Sequence, residues 1–201
     1  MNAITPLHGG RRGPRSTCWA WIGDQGAGVD LLAPDWTPIR LTDLATSLSR
    51  IPWRGGATRG AVGYSLAQRA AWLASAVHDA THDPRLARAA LLRDAHLSAL
   101  GGVPTAIARA IGTTEVEALE RRLSEPLLRR FGAPPVVHHR AIREAEALLT
   151  ATELRDLVPG GEATWRGPPL PPPHPARLVP LPCTQAHARF VGVAAALGMH
   201  W

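Results

Sequence analysis

The chain has 201 residues and a mass of 21.5 kDa, which predicts one domain. With 45% apolar residues, 19% charged ones and a mean hydropathy of −0.05, it is neither a disordered nor a collagen-like chain. The 22 basic residues are all arginine and outnumber the 16 acidic ones, but abundant Ala, Gly and Pro accompany them. That pattern points to a GC-rich coding bias more than to an anionic partner.

Residues 1–16 carry Arg11, Arg12 and Arg15 but no apolar block, so they read as a flexible leader and not as a secretory signal. Two apolar runs, Trp19 to Ile22 and Val29 to Leu32, flank Gly23, Gly26 and Gly28 and predict a small hairpin. Thr42 is placed to cap a short helix running to about Arg50, and Arg54-Gly-Gly-Ala-Thr58 then reads as a loop. Ser65-Leu-Ala-Gln68 has the capping-box spacing and opens a helix to about Val77. Asp83 followed by Pro84 starts the next helix, predicted to reach Leu100 before Gly101-Gly102-Val103-Pro104 breaks it.

A short helix is expected from Thr105. A longer one, capped around Thr114-Glu-Val-Glu117, should be kinked or split at Pro126. Residues 136–157 read as one more helix, residues 168–183 as a proline-rich crossing segment, and Thr184 to Leu197 as a last helix. The run Pro168 to Pro173 has the composition of a polyproline ligand, although a spacer is the simpler reading. The predicted fold class is all-α: a compact helical bundle over residues 17–200 with a small N-terminal β-hairpin.

Cys18 and Cys183 have neither metal-type spacing nor a disulfide framework around them. The longest apolar run, Phe190 to Met199, is far short of the ~18 residues that span a bilayer. Both features predict a cytoplasmic protein without membrane contact. Arginines occur only in short pairs such as Arg121-Arg122 and Arg129-Arg130, with no DNA- or RNA-reading motif beside them, so nucleic acid is not the expected partner.

Helical periodicity puts charges where apolar residues belong. Arg69 falls within the stripe Leu66, Ala70, Leu73 and Val77. Arg93 occupies a core slot in the series Leu86, Ala90, Arg93, Leu97, Leu100, with Asp94 at its border. Glu146 lies between Ile142 and Leu149 in the same manner. Arginine stems laid along apolar surface, heads in water, would explain any one of these. Three helices with the same misplacement favour a polar pocket between them, because unpaired buried charges are very costly.

Leu91-Leu-Arg-Asp-Ala-His-Leu-Ser-Ala-Leu-Gly-Gly-Val-Pro-Thr105 resembles the central motif of the HD-domain phosphohydrolases, which reads roughly LLHDAxExxxGDxPTP. The similarity is to the subgroup of bacterial 5′-deoxynucleotidases and phage nucleotide hydrolases. Tyr64-Ser-Leu-Ala-Gln-Arg69 is similar to that family's YSVAQH element, and Glu144-Ala-Glu146 through Leu157 to its later LLATEARDLM region. Leu41 to Gly55 resembles the segment ahead of YSVAQH, which includes a loop arginine. The resemblance spans about residues 18–198 and implies an HD-type α-bundle, a metal-dependent nucleotide phosphohydrolase, and a dimer or larger assembly.

In that family one divalent ion is held by a His, an adjacent His-Asp pair and a distant Asp. Carried over, these positions are Arg69, Arg93, Asp94 and Glu146. The family's acidic helper falls on Leu97, and the Asp of its GDxPTP element falls on Gly102. A guanidinium has no lone pair to offer a metal and does not deprotonate in a protein. At ~5 Å and an effective dielectric of ~20, each arginine repels a dication by roughly 6–7 kcal/mol. Two would oppose binding by roughly 13 kcal/mol, comparable with the whole affinity of a good zinc site, ~10–16 kcal/mol.

The leading expectation is therefore a pseudoenzyme without a metal cofactor, in which Arg69, Arg93, Asp94 and Glu146 form an ion quartet and only a vestigial Asp94 survives of the catalytic set. A second expectation keeps a ligand: Arg54, Arg69 and Arg93 would hold a nucleotide phosphate. The alternative is an active (deoxy)nucleotide phosphohydrolase using Mn²⁺, Co²⁺ or Mg²⁺, with His78, His82, His96, His138 or His139 as replacement ligands.

Overall fold

A computed structural model describes residues 18–102, 107 and 110–199. The leader at 1–16, and most of the short helix expected from Thr105, lie outside the described residues. The described chain is mostly helical, with one two-stranded antiparallel hairpin at its start.

Strand β1, Trp19–Ile22, pairs with β2, Ala27–Asp30. The second strand begins two residues earlier than expected, because Gly23 and Gly26 both adopt positive φ and close the turn within residues 23–26. Gly28 therefore lies inside β2. A Cβ there would strike the Ala20 carbonyl and the Trp19 indole.

Helix α1 is Leu41–Arg50, and its cap is not Thr42. Arg40 sits at the N-cap, and Asp43 accepts a bond from the Arg40 backbone N–H at 2.9 Å. The same carboxylate also binds the Arg40 guanidinium, so the acidic N3 half of a capping box starts the helix. Helix α2, Leu66–Thr81, begins where expected, with Ser65 Oγ accepting from the Gln68 N–H at 3.3 Å. It runs one turn beyond Val77 and stops at His82, which takes the left-handed conformation at φ 53°.

Asp83 caps helix α3, Pro84–Leu92, through bonds to the N–H groups of Arg85 and Leu86. The expected continuation to Leu100 does not occur as one helix. Residues 93–96 tighten into a turn whose N–H groups reach back three residues, as in Ala95 to Leu92 and Leu97 to Asp94. A separate turn of helix α4, Leu97–Leu100, follows and ends at Gly101 with φ 72°. The break falls on Arg93 and Asp94, whose side chains pair with partners on other helices.

Helix α5, Thr113–Arg130, continues through Pro126 without splitting. Trp36 anchors it by donating its indole N–H to the Leu123 carbonyl at 3.0 Å in the core. Helix α6, Arg140–Leu157, starts four residues later than expected because His139 Nδ1 caps it, accepting from the Ala141 N–H. The last helix, α7, is Cys183–Ala196.

Helix α2 is the centre of the bundle, packed against α1, α3, α6 and α7. Its small buried residues, Ala67, Ala70, Ala71 and Ala74, let these neighbours approach closely. Leu44 and Leu48 of α1, Leu73 and Val77 of α2, Leu91 of α3, Leu149 of α6 and Phe190 of α7 fill the common core. Among the described residues no helix is long and apolar enough to cross a membrane.

The proline-rich segment is strapped to this core by side chains. Gln68 Nε2 donates to the Val179 carbonyl at 2.8 Å, and Gln68 Oε1 accepts from the Leu181 N–H at 2.8 Å. The Gln68 side chain is thus not the reciprocal half of the expected capping box. Thr152 Oγ1 accepts from the His174 N–H, and Asp156 accepts from the Leu178 N–H. A chain that forms no regular ladder obtains its hydrogen bonds from α2 and α6 instead.

Candidate functional site

Arg69 lies in the first turns of α2 and is 8% exposed. Its guanidinium uses three nitrogens on three carboxylates. Nε donates to Glu153 Oε1 at 3.0 Å, Nη1 to Asp94 Oδ2 at 3.0 Å, and Nη2 to Glu146 Oε1 at 3.3 Å. Glu146 and Glu153 are seven residues apart on α6, which puts both on one face two turns apart. Asp94 comes from the turn between α3 and α4.

Arg93 adds the outer layer. Its guanidinium pairs with Glu146 Oε2, and its Nε lies 3.9 Å from Asp94 Oδ1. Arg93, Asp94 and Glu146 are each roughly a quarter exposed, whereas Glu153 is fully buried. The four residues expected from the sequence meet as a quartet, and Glu153 makes it a quintet. The cluster therefore has a closed floor, Arg69 with Glu153, and a rim open to solvent.

The charges do not balance. Two arginines face three carboxylates, and the imbalance falls on Glu153. Burial pushes its carboxyl up to about 7, and pairing with Arg69 only partly opposes that. Burial alone would favour deprotonating Arg69, but the charges of Glu153 and Asp94 outweigh it and hold the guanidinium firmly protonated. The Tyr64 hydroxyl is also fully buried, and burial followed by the Glu153 charge drives its proton affinity well above the usual range. Tyr64 Oη and Glu153 Oε2 feel one another electrostatically without closing a hydrogen bond of good geometry. On α5, Glu120 is raised by burial and then by the Asp94 charge, so it approaches the cluster from another helix.

Sequence reasoning missed the roles of Glu153, Tyr64 and Glu120. Glu153 carried a signal: it is seven residues beyond Glu146 and shares its face of α6. Arg54 is not part of the cluster. It is exposed, stacks its guanidinium 5.0 Å from the Trp53 ring centre at φ 52°, and among the described residues pairs with no carboxylate. Trp53 in turn meets the ring of Tyr64 edge-on at 5.8 Å.

A divalent cation does not fit this donor set. The space that three carboxylates surround is filled by a guanidinium, which has five donors and no lone pair. Among the described residues no group of three or more His, Cys, Asp or Glu side chains is arranged to hold a metal ion. Of the histidines, His139 caps α6, while His78 and His82 meet edge-on at the end of α2. His96 is buried, and burial holds its imidazole below the ordinary range. Leu97 and Gly102 carry no carboxylate, so neither position supplies an acid to the cluster.

No protein-family model matches the chain. It is 32% identical over 143 residues to a protein of Rhodobacter capsulatus described only as uncharacterized, a match covering 69% of this chain and 72% of that relative. The chain belongs to the same family as this Rhodobacter protein.

Proposed function

We propose that this chain is an HD-domain phosphohydrolase-like pseudoenzyme that has replaced its divalent ion by an internal guanidinium. The observation carrying the reading is the three-carboxylate contact of Arg69, at 3.0, 3.0 and 3.3 Å, from the position where the resembled family has a metal-binding His. In that family the metal ion neutralises the carboxylates that bind it. Here Arg69 supplies positive charge from within the chain, and it has no open coordination position for water or a phosphate oxygen. Without a polarised water, in-line attack on a phosphate ester lacks its nucleophile.

A retained nucleotide or phosphate ligand is the second reading, and the partial exposure of Arg93 favours it. An incoming phosphate would compete with Glu146 for Arg93, while Arg69 stays engaged by its three carboxylates. The active-enzyme alternative would need replacement ligands, and it has the weaker support, because Arg69 already fills the space between the carboxylates that would hold the ion.

The deciding measurement is metal content per chain after stripping and dialysis against Mn²⁺ or Co²⁺. The pseudoenzyme reading expects no stoichiometric ion and no turnover of deoxynucleoside monophosphates. One ion per chain would overturn it. A nucleotide-dependent rise in melting midpoint would support the phosphate-binding reading, since a ligand bound only to the native state must raise it.

A further inference from the structure

Residues 168–173 belong to no helix or strand, and their composition dictates their shape. Five of the six are proline, which fixes φ at about −65°, and a residue before a proline is pushed out of the helical region. Both effects favour polyproline II, which has three residues per turn and no internal hydrogen bonds. Exposure follows that period. Leu170 and Pro173 are half-buried against the bundle, whereas the pairs Pro168-Pro169 and Pro171-Pro172 are exposed. Two proline pairs three residues apart thus form one outward ridge. Among the described residues, the carbonyls of 169–173 accept no hydrogen bond from the chain.

Both ends of this ridge are clamped. Trp165 donates its indole N–H to the Pro168 carbonyl at 2.7 Å. At the other end Thr152 accepts from the His174 N–H, and Arg155 donates to the His174 and Ala176 carbonyls at 2.9 and 3.1 Å. The His174 ring also meets Trp72 edge-on at 5.7 Å. The ridge is therefore ordered before any partner arrives, which lowers the cost of binding one. Arg166 heads it and is exposed. Its Nη1 donates to the Ala163 and Trp165 carbonyls at 2.9 and 3.1 Å, and among the described residues it has no carboxylate partner.

A spacer needs neither outward proline pairs nor a cation at their head. Proline rings beside open carbonyls suit aromatic side chains that pack on the rings and donate to the carbonyls. An exposed guanidinium suits a carboxylate. We infer that the ridge from Arg166 to Pro172 is a docking ligand for a protein domain whose groove is lined by aromatic side chains and closed at one end by carboxylates. Each proline pair fills one pocket between aromatic rings. A polyproline II helix presents similar ridges in either direction, so Arg166 fixes which way the chain lies. The proposal does not depend on the reading of the ion cluster.

The test is a titration of the full chain into an isolated, isotope-labelled SH3 domain that binds arginine-headed proline ligands, followed by the amide spectrum of the domain. The expected result is saturable binding of one domain per chain, with shifts confined to its aromatic groove. Arg166→Gln and Pro172→Ala should each weaken binding about tenfold. Arg166→Lys should recover part of the loss, and Leu170→Ala on the inner side should leave the affinity unchanged. No saturation at about 1 mM chain, or equal affinity for the parent, Arg166→Gln and Pro172→Ala, would overturn the proposal. So would self-association of the chain alone in sedimentation that Pro172→Ala abolishes, since a second copy would then cover the ridge. Unchanged urea midpoints of the variants separate these outcomes from loss of fold.

Discussion

Arg69 and Glu153 stand 84 positions apart in the chain and meet at 3.0 Å in the interior, the first 8% exposed and the second fully buried. Their pairing joins the first turns of α2 to the last turns of α6. Asp94 and Glu146 complete the contact of Arg69 on its other two nitrogens. Removing the arginine would leave a fully buried carboxylate with no cation beside it, and two more at the rim with only Arg93.

Arg69→Met should therefore destabilise the chain by about 3–5 kcal/mol in urea titrations, the usual cost of breaking a buried ion pair on one side. Adding Glu153→Leu should recover most of that loss, because the uncompensated charge is removed with its partner. If the double variant is no more stable than Arg69→Met alone, the cluster is not the source of the effect.

Restoring histidine at both arginine positions tests the metal substitution from the other side. Arg69→His with Arg93→His, titrated calorimetrically with Mn²⁺ or Co²⁺, should bind an ion that the parent chain does not, since two lone pairs replace two cations. Phosphatase activity is not expected to follow in full, given Leu97 and Gly102 at positions where the resembled family carries acids.

Stability should depend on pH through Glu153. Its carboxyl is raised in the folded state to about 7 from 4.5, so the native state binds the proton more tightly than the unfolded chain does. That contribution is fully present below about pH 4.5 and is lost as pH rises through about 7. It is on the order of 3 kcal/mol. Urea midpoints measured from pH 5 to pH 8 should fall for the parent chain, and Glu153→Gln should flatten that slope.

Gln68→Leu should loosen the proline-rich segment. The substitution removes both 2.8 Å bonds, leaving the Val179 carbonyl and the Leu181 N–H without their partner. The expected loss is about 2–4 kcal/mol, with faster amide exchange at Leu181 as the local signature. Unchanged exchange there would show that the prolines hold the segment by themselves.

The hairpin offers a steric check. Gly28→Ala brings a methyl group against the Ala20 carbonyl and the Trp19 ring, so the two strands must move apart. Far-ultraviolet circular dichroism should keep its helical signal, while the tryptophan signal of Trp19 and Trp21 changes.

Local chemistry was sufficient to locate the starts of α2 and α3. Ser65 and Asp83-Pro84 start helices because their side chains, or the missing proline N–H, satisfy the first turn within a few residues. The same periodicity marked Arg69, Arg93 and Glu146 as charges on faces that had to be covered, and they do meet. What the sequence could not decide is which partner each charge takes. Glu153 completes the floor because α6 packs against α2, and Arg54 stays outside because its guanidinium lies over Trp53. The break after Leu92 is of the same kind, with Arg93 and Asp94 paired to residues on α2 and α6. Capping and periodicity act over one or two turns and are written in neighbouring residues. Burial, charge balance and the raised proton affinity of Glu153 depend on groups tens of residues away, so only the packed bundle determines them.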